Sequence, residues 1–222
     1  MNPKKFKSLS FVFGLMVVLG GCGNFSTTAP SVTQEAQLNY YETLLKNAQT
    51  IKVSEDPFSM NREYDIEIDG QEFGEVDGKY INITGDVFTL EDETGNIWAK
   101  EKQIKRWGIK LNRLAQVMSP NGKTVGFIGE EKIKDLFKYG YSFHFYDENK
   151  NEIAHSDQVF FSLTKQYKIK DNHGNLLYKI KGDFLSLVNS YTVDVVDSSV
   201  VPVEQAIFLT CILDAISNSE SK

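Results

Sequence analysis

The sequence predicts a mainly β protein: a closed antiparallel barrel wrapped around a buried, hydrophobic C-terminal helix. Three observations carry this. Apolar residues alternate with polar ones over most of the chain from Tyr64 onward. Glycine- or asparagine-bearing turns recur between the alternating stretches. The chain then closes on one segment, Pro202 to Ser217, that is apolar on every side.

At the N-terminus, Lys4, Lys5 and Lys7 precede an apolar run from Leu9 to Leu19, and the run ends in Leu19-Gly20-Gly21-Cys22. The run is too short to span a bilayer and ends in small residues, which is the layout of a secretory signal. The ending resembles the bacterial lipobox, in which the cysteine takes a diacylglycerol and becomes the new N-terminus. The expected organisation is therefore a lipoprotein signal peptide at 1–21, a tether with a short helix at 22–55, and the barrel at 56–222. Cys22 is the expected lipid-attachment residue, and the membrane is the expected partner through it. The expected location is the extracytoplasmic face of the cell membrane. Gly23 stands where an aspartate would retain a lipoprotein in the inner membrane, which leaves outer-membrane sorting open.

Loss of the three signal lysines takes the basic count from 24 to 21 against 30 acids, so the net charge falls from −6 to −9. That sign argues against nucleic acid as a partner. With Cys22 acylated, Cys211 stands alone and no internal disulfide can form, so stability must come from a packed core. The 15 Phe and 10 Tyr supply one.

Gly23 to Ser31 is small and polar and reads as a flexible tether. Thr33 to Gln49 reads as a helix with Thr33 as its cap, because Leu38, Tyr41, Leu45 and Ala48 fall at helical spacing. Strands follow. Tyr64, Ile66 and Ile68 share one face, as do Tyr141, Phe143 and Phe145, then Tyr167 and Ile169, then Leu176, Tyr178 and Ile180. The turns between them are Asp69-Gly70, Thr94-Gly95-Asn96, Pro120-Asn121-Gly122, Glu148-Asn149-Lys150-Asn151 and His173-Gly174-Asn175, all residues that tolerate positive φ. Measured from Gly70 through Gly95, Gly122 and Asn149 to Gly174, they repeat about every 26 residues, as tandem copies of one hairpin would.

Pro202 to Ser217 carries Val203, Ala206, Ile207, Phe208, Leu209, Cys211, Ile212, Leu213, Ala215 and Ile216 around the whole helix. Such a helix must be buried or must span a membrane. Its rise of about 24 Å falls short of a ~30 Å hydrocarbon core, so burial is expected. A barrel threaded by the helix meets the needs of both.

Strands of the form Tyr167-Lys-Ile-Lys-Asp171, then Gly174-Asn175, then Tyr178-Lys-Ile-Lys-Gly182, followed by an apolar helix ending Ile212-Leu213-Asp214-Ala215, resemble the LURP-one-related and tubby C-terminal-like superfamily, to which phospholipid scramblases belong. The resemblance covers Asp56 to Ser217. It implies a barrel of about 12 strands around the terminal helix, a non-enzymatic binding role, and phospholipid headgroups as the ligand class. Most members of that superfamily are intracellular, whereas this chain carries an export signal.

No catalytic constellation emerges: His144, His155 and His173 are scattered, and neither a Gly-x-Ser-x-Gly elbow nor a His-Glu-x-x-His pair is present. No cofactor is expected. Asp147-Glu148-Asn149-Lys150-Asn151 has the oxygens of a calcium loop, but Glu152 and Gln158 stand at its sixth and twelfth positions, so a hairpin turn is the better reading and no metal is expected. Cys211 reads as an apolar filler. One basic cluster remains, Lys100, Lys102, Lys105, Arg106, Lys110 and Arg113, flanked by Trp98 and Trp107. Within it, Lys105, Arg106, Lys110 and Arg113 are the candidate contacts to anionic lipid, against a plain solvated edge with its tryptophans in the barrel wall. The alternative for the whole molecule is an envelope module that binds another protein.

Overall fold

The computed structural model describes residues 32–59, 62–79, 87–104, 111–134, 139–157, 166–183 and 189–220. Helix α1 (Val32–Lys46) is followed by twelve strands: β1 (Thr50–Glu55), β2 (Arg62–Ile68), β3 (Gln71–Lys79), β4 (Val87–Asp92), β5 (Ile97–Ile104), β6 (Arg113–Met118), β7 (Thr124–Lys134), β8 (Tyr139–Tyr146), β9 (Glu152–Ser156), β10 (Gln166–Asp171), β11 (Leu176–Asp183) and β12 (Ser190–Val195). Helix α2 (Val203–Glu220) ends the described chain. Each strand pairs antiparallel with the next, and β1 pairs with β12, so the sheet closes on itself with no free edge.

The barrel begins at Thr50, ahead of the expected start at residue 56. Strand β1 has only Ile51 and Val53 on its inner face, too short an alternation to read unaided, yet it is the strand that closes the barrel between β12 and β2.

α2 runs through the lumen. Gln205, Ala206, Ile207, Phe208, Leu209, Thr210 and Cys211 are all at most 1% exposed. Seven consecutive helical residues face every direction, so only enclosure by a surrounding wall gives that burial. The wall supplies the alternating residues the sequence showed: Tyr64, Ile66 and Ile68, then Tyr141, Phe143 and Phe145, then Tyr167 and Ile169, with Tyr178 and Ile180.

The alternation fails at one recurring place. Register shifts just beyond five turns leave Phe73, Trp98, Val125, Ile153 and Leu177 as extra residues without a cross-strand partner. Strict alternation puts Leu176 inside and Leu177 outside, but the bulge turns Leu177 inward, where it is 1% exposed. These bulges lie at the same end of the barrel as the turns and as the start of α2.

Candidate functional site

The barrel has two unlike ends. At the turn pole, Asp92, Asp147 and Asp171 each open a five-residue turn in the same way. The carboxylate accepts from the backbone N–H two residues on (Thr94 2.9 Å, Asn149 2.9 Å, His173 2.9 Å) and from the N–H four residues on (3.1, 2.8 and 2.8 Å). The asparagine side chain at the fifth position donates to the same carboxylate at 3.0, 2.9 and 2.8 Å. Gly95, Lys150 and Gly174 hold the left-handed fourth position. The 147–151 turn therefore takes its positive φ at Lys150, not at Asn149, the reference point of the sequence repeat. These bonds hold the Asp147 and Asp171 carboxyls below the usual range, chiefly through Asn151 and Asn175. Burial pushes Asp92 upward, but bonds from Thr94, Asn96 and Trp98 outweigh it and leave it lowered.

α1 lies on this pole. Tyr41 and Leu45 are its buried face, with Ala48 just beyond its end also buried. The Tyr41 ring meets Phe73 and Trp98 edge-on, with centroids 5.5 and 6.5 Å away, and its hydroxyl donates to Glu93 at 3.2 Å. Tyr40 donates to Gln71. Two of the bulged residues thus form the seat for α1. Between α1 and the start of α2 runs a cleft lined by Glu42, Leu45, Lys46, Trp98, Ser198, Pro202, Val203 and Glu204.

The opposite pole holds charge inside the wall. Asp214 near the end of α2 accepts from Tyr64 at 3.0 Å and from Asn189 at 2.9 Å. Burial pushes its carboxyl up, against those two bonds and the Arg62 charge. Burial, aided by Asp214, also pushes up Glu55. On the other side of α2, a narrow cleft is walled by Phe88, Ala115, Ile128, Phe143, Ile212 and Ala215 and carries Glu101, Gln103, Arg113 and Glu130. Glu130, 3% exposed, takes a bond from Asn112 at 2.8 Å and faces Arg113 Nε at 3.7 Å. At the rim the Lys132 ammonium lies 5.4 Å from the Tyr141 ring centroid, and Phe58 projects with 90% exposure.

Of the residues singled out from sequence, Cys22, Lys105, Arg106 and Lys110 lie outside the described residues, as does Trp107. Arg113 is on β6 in the register of Ala115 and Val117, and it lines the interior cleft with Glu130 beside it. Trp98 packs under α1 and donates to Asp92 at 2.9 Å, at the end of β5 away from Arg113. His144 stands on the outer wall with its ring nitrogens 3.1 Å from Glu131 and 3.1 Å from Glu152. His155 is 4.0 Å from Glu152, and His173 lies in a turn. Cys211 is fully enclosed, and burial followed by Asp214 pushes its thiol well above the usual value, so it stays protonated. Sequence reasoning passed over Glu101 and Glu130 as interior residues. Their parity with Ala99 and Ile128 along β5 and β7 was the available signal.

Among the described residues no group of three His, Cys, Asp or Glu side chains is disposed to hold a metal ion, and no helix is long and apolar enough to cross a membrane. The chain matches no family model, no curated protein and no solved structure with which it was compared.

Proposed function

We propose that this chain is a bacterial envelope lipoprotein: cut before Cys22, acylated there, and held at the extracytoplasmic face of a membrane as a non-enzymatic binding module. The observation that carries the reading is the Leu19-Gly20-Gly21-Cys22 ending of a short apolar run, with a globular barrel C-terminal to it. Residues 23–31 join the cysteine to α1, which lies on the turn pole. The tether therefore leads to the turn pole. Mass spectrometry of the membrane-extracted protein tests this: the N-terminus should be Cys22 bearing a diacylglyceryl group, and an unmodified or earlier N-terminus would refute it.

Phospholipid is the ligand class we favour. A threaded twelve-strand barrel is the architecture that resemblance to the LURP-one and tubby-like superfamily implies. Lys100 and Lys102 lie on the outer face of β5, and Lys105, Arg106 and Lys110 follow in the connection to β6. Lys100 and Lys102 stand along the eight-residue β5, which extends about 26 Å away from the turn pole. Contact with an anionic bilayer then requires the barrel to lie on its side, β5 downward. Arg113, which faces the buried Glu130 from the mouth of the cleft, contributes least. Chain from Val32 onward should bind vesicles rich in phosphatidylglycerol at low salt and lose that binding on charge reversal of Lys105, Arg106 and Lys110. No binding at low salt would refute the lipid reading.

A second reading, an envelope protein-interaction module, is favoured by a specific observation. The strands next to β5, namely β4, β3 and β2, present carboxylates on their outer faces, which an anionic membrane would repel.

A further inference from the structure

The cleft between α1 and the start of α2 has walls that the fold holds in place. On one side, the Val196 and Asp197 N–H groups donate to the Leu177 carbonyl at 2.8 and 3.1 Å, and the Tyr178 hydroxyl donates to the Val201 carbonyl. The Asp197 carboxylate accepts from the Ser199 N–H at 2.8 Å, and Pro202, with φ fixed by its ring, leads into α2. On the other side, Tyr41 wedges α1 against Phe73 and Trp98, and Trp98 is pinned by its indole N–H to Asp92. The space between measures about 300 Å³. Small-ligand sites run from about 300 to 1,000 Å³.

The lining is of two kinds. Leu45, Trp98, Pro202 and Val203 give apolar surface, and polar groups stand among them. Glu42 and Lys46 are exposed and one turn apart on α1, where their charges offset each other. Glu204 is different. It is half-buried in the first turn of α2, and burial pushes its carboxyl up. Only its own backbone N–H opposes that push, and no cationic side chain, Lys46 included, does so. The surrounding field has the same sign. After burial, the charges of Glu204 and Asp197 push the Tyr178 hydroxyl up, and those of Glu93 and Asp92 act likewise on Tyr41.

A carboxylate in such surroundings is costly to keep ionised, and a cation bound beside it offsets that cost. Trp98 is a second feature that draws cations, which are attracted to an indole within about 6 Å of the ring centroid. An acid in a first turn also suits the helix dipole. The dipole accounts for an acid at this position, but not for its place beside an indole in a preformed, mainly apolar cleft.

We propose that this cleft binds a cation carried on a short apolar stem, a primary ammonium or a guanidinium, with the charge against Glu204 and Trp98 and the stem between Leu45, Pro202 and Val203. An anion is repelled there by Glu204, and a neutral ligand forgoes both attractions. The site requires neither acylation of Cys22 nor contact between the β5 lysines and lipid, so its failure leaves both of those readings standing.

The test is titration of the full-length chain in detergent with n-butylammonium, followed by the Trp98 indole N–H resonance. Butanol and butyrate are the neutral and anionic controls of similar stem. Butylammonium should give a saturable shift and bind at least about tenfold more tightly than either control. N-acetyl-lysine amide carries the same ammonium as a lysine side chain of another protein does, and its affinity relative to butylammonium separates that source from a free amine. Glu204→Gln, which keeps the size and removes the charge, should weaken ammonium binding at least about tenfold. Lys46→Ala should leave it intact or tighter. Thermal unfolding by circular dichroism checks that each variant is folded, and Glu204→Asp, which withdraws the carboxylate, replaces Glu204→Gln if that variant is not. The proposal is overturned if neither ammonium binds saturably, if butanol or butyrate binds as well, or if the Glu204 variant binds undiminished. Loss of binding in Lys46→Ala overturns it too, since the cleft would then be selecting an anion.

Discussion

The two poles of the barrel use polar side chains to opposite ends. At the turn pole, Asp92, Asp147 and Asp171 are acceptors for backbone N–H groups, and their charge is welcome. At the far pole, Asp214 and Glu55 lie where burial makes their charge unwelcome. One set of carboxylates fixes local geometry in water, and the other lines an interior around the end of α2. The difference shows that a carboxylate's neighbours, more than its presence, decide whether it shapes the fold or strains it.

The comparison presupposes that α2 joins the two poles through the lumen. Leu209→Asp puts an unpaired charge at its midpoint, at a cost of several kcal/mol against a total stability of about 5–15 kcal/mol. Cooperative thermal unfolding by circular dichroism should disappear. A variant that melts like the wild type would mean that α2 is not enclosed.

A smaller loss is expected where the turn pole is tightest. Gly74 follows the bulged Phe73 at φ 152°, and a Cβ there would lie 2.1 Å from the Glu91 carbonyl oxygen. Gly74→Ala should cost about 2–4 kcal/mol, read from denaturant unfolding. A change within about 0.5 kcal/mol would show that β3 and β4 can separate there.

The poles should also respond oppositely to acid. At the far pole Asp214 and Glu55 are raised, each first by burial. A raised carboxyl holds its proton more tightly when folded, so stability grows as pH falls through its folded value toward the ordinary 3.8 to 4.5. Asp92, Asp147, Asp171 and Asp197 are lowered, and their contribution is present above 3.8 and lost as pH falls through their folded values. The thermal midpoint should therefore rise on mild acidification and collapse below about pH 3.8. Asp214→Asn should raise the midpoint at pH 7 and flatten the upper limb alone. An unchanged upper limb would mean that Asp214 is not strained.

The smallest effect sharpens the turn pole. Lys150 occupies at φ 69° the position that Gly95 and Gly174 fill in sister turns. Lys150→Gly should stabilise by about 0.5–1 kcal/mol, a rise in midpoint measurable by calorimetry.

Much of this was legible in the chain. The glycine- and asparagine-bearing turns, the alternating strands and the all-round apolar α2 are local patterns, and each specified its element, whereas the part that Asp92 and Asp171 play in opening two of those turns went unread. The bulges were not legible, because an extra residue such as Leu177 looks in sequence like the next member of an alternation. Glu101 and Glu130 were passed over, and Arg113 was read only as a lipid contact, because charges are seldom buried. Only the shared parity with Ala99, Ala115 and Ile128 along β5, β6 and β7 aims them at the cleft. Cys22 is legible by motif alone: its proposed acylation rests on Leu19-Gly20-Gly21-Cys22 and lies outside the described residues.

The most direct test of the account as a whole is therefore made at that cysteine. Full-length chain and Cys22→Ala, expressed in a bacterial host, are compared by separating soluble from membrane fractions after detergent-free washing. The wild type should stay with the membrane, and the variant should move to the soluble fraction or persist as unprocessed precursor. A processed Cys22→Ala protein that remains on the membrane would contradict the lipid anchor and would leave the barrel itself as the membrane-binding element.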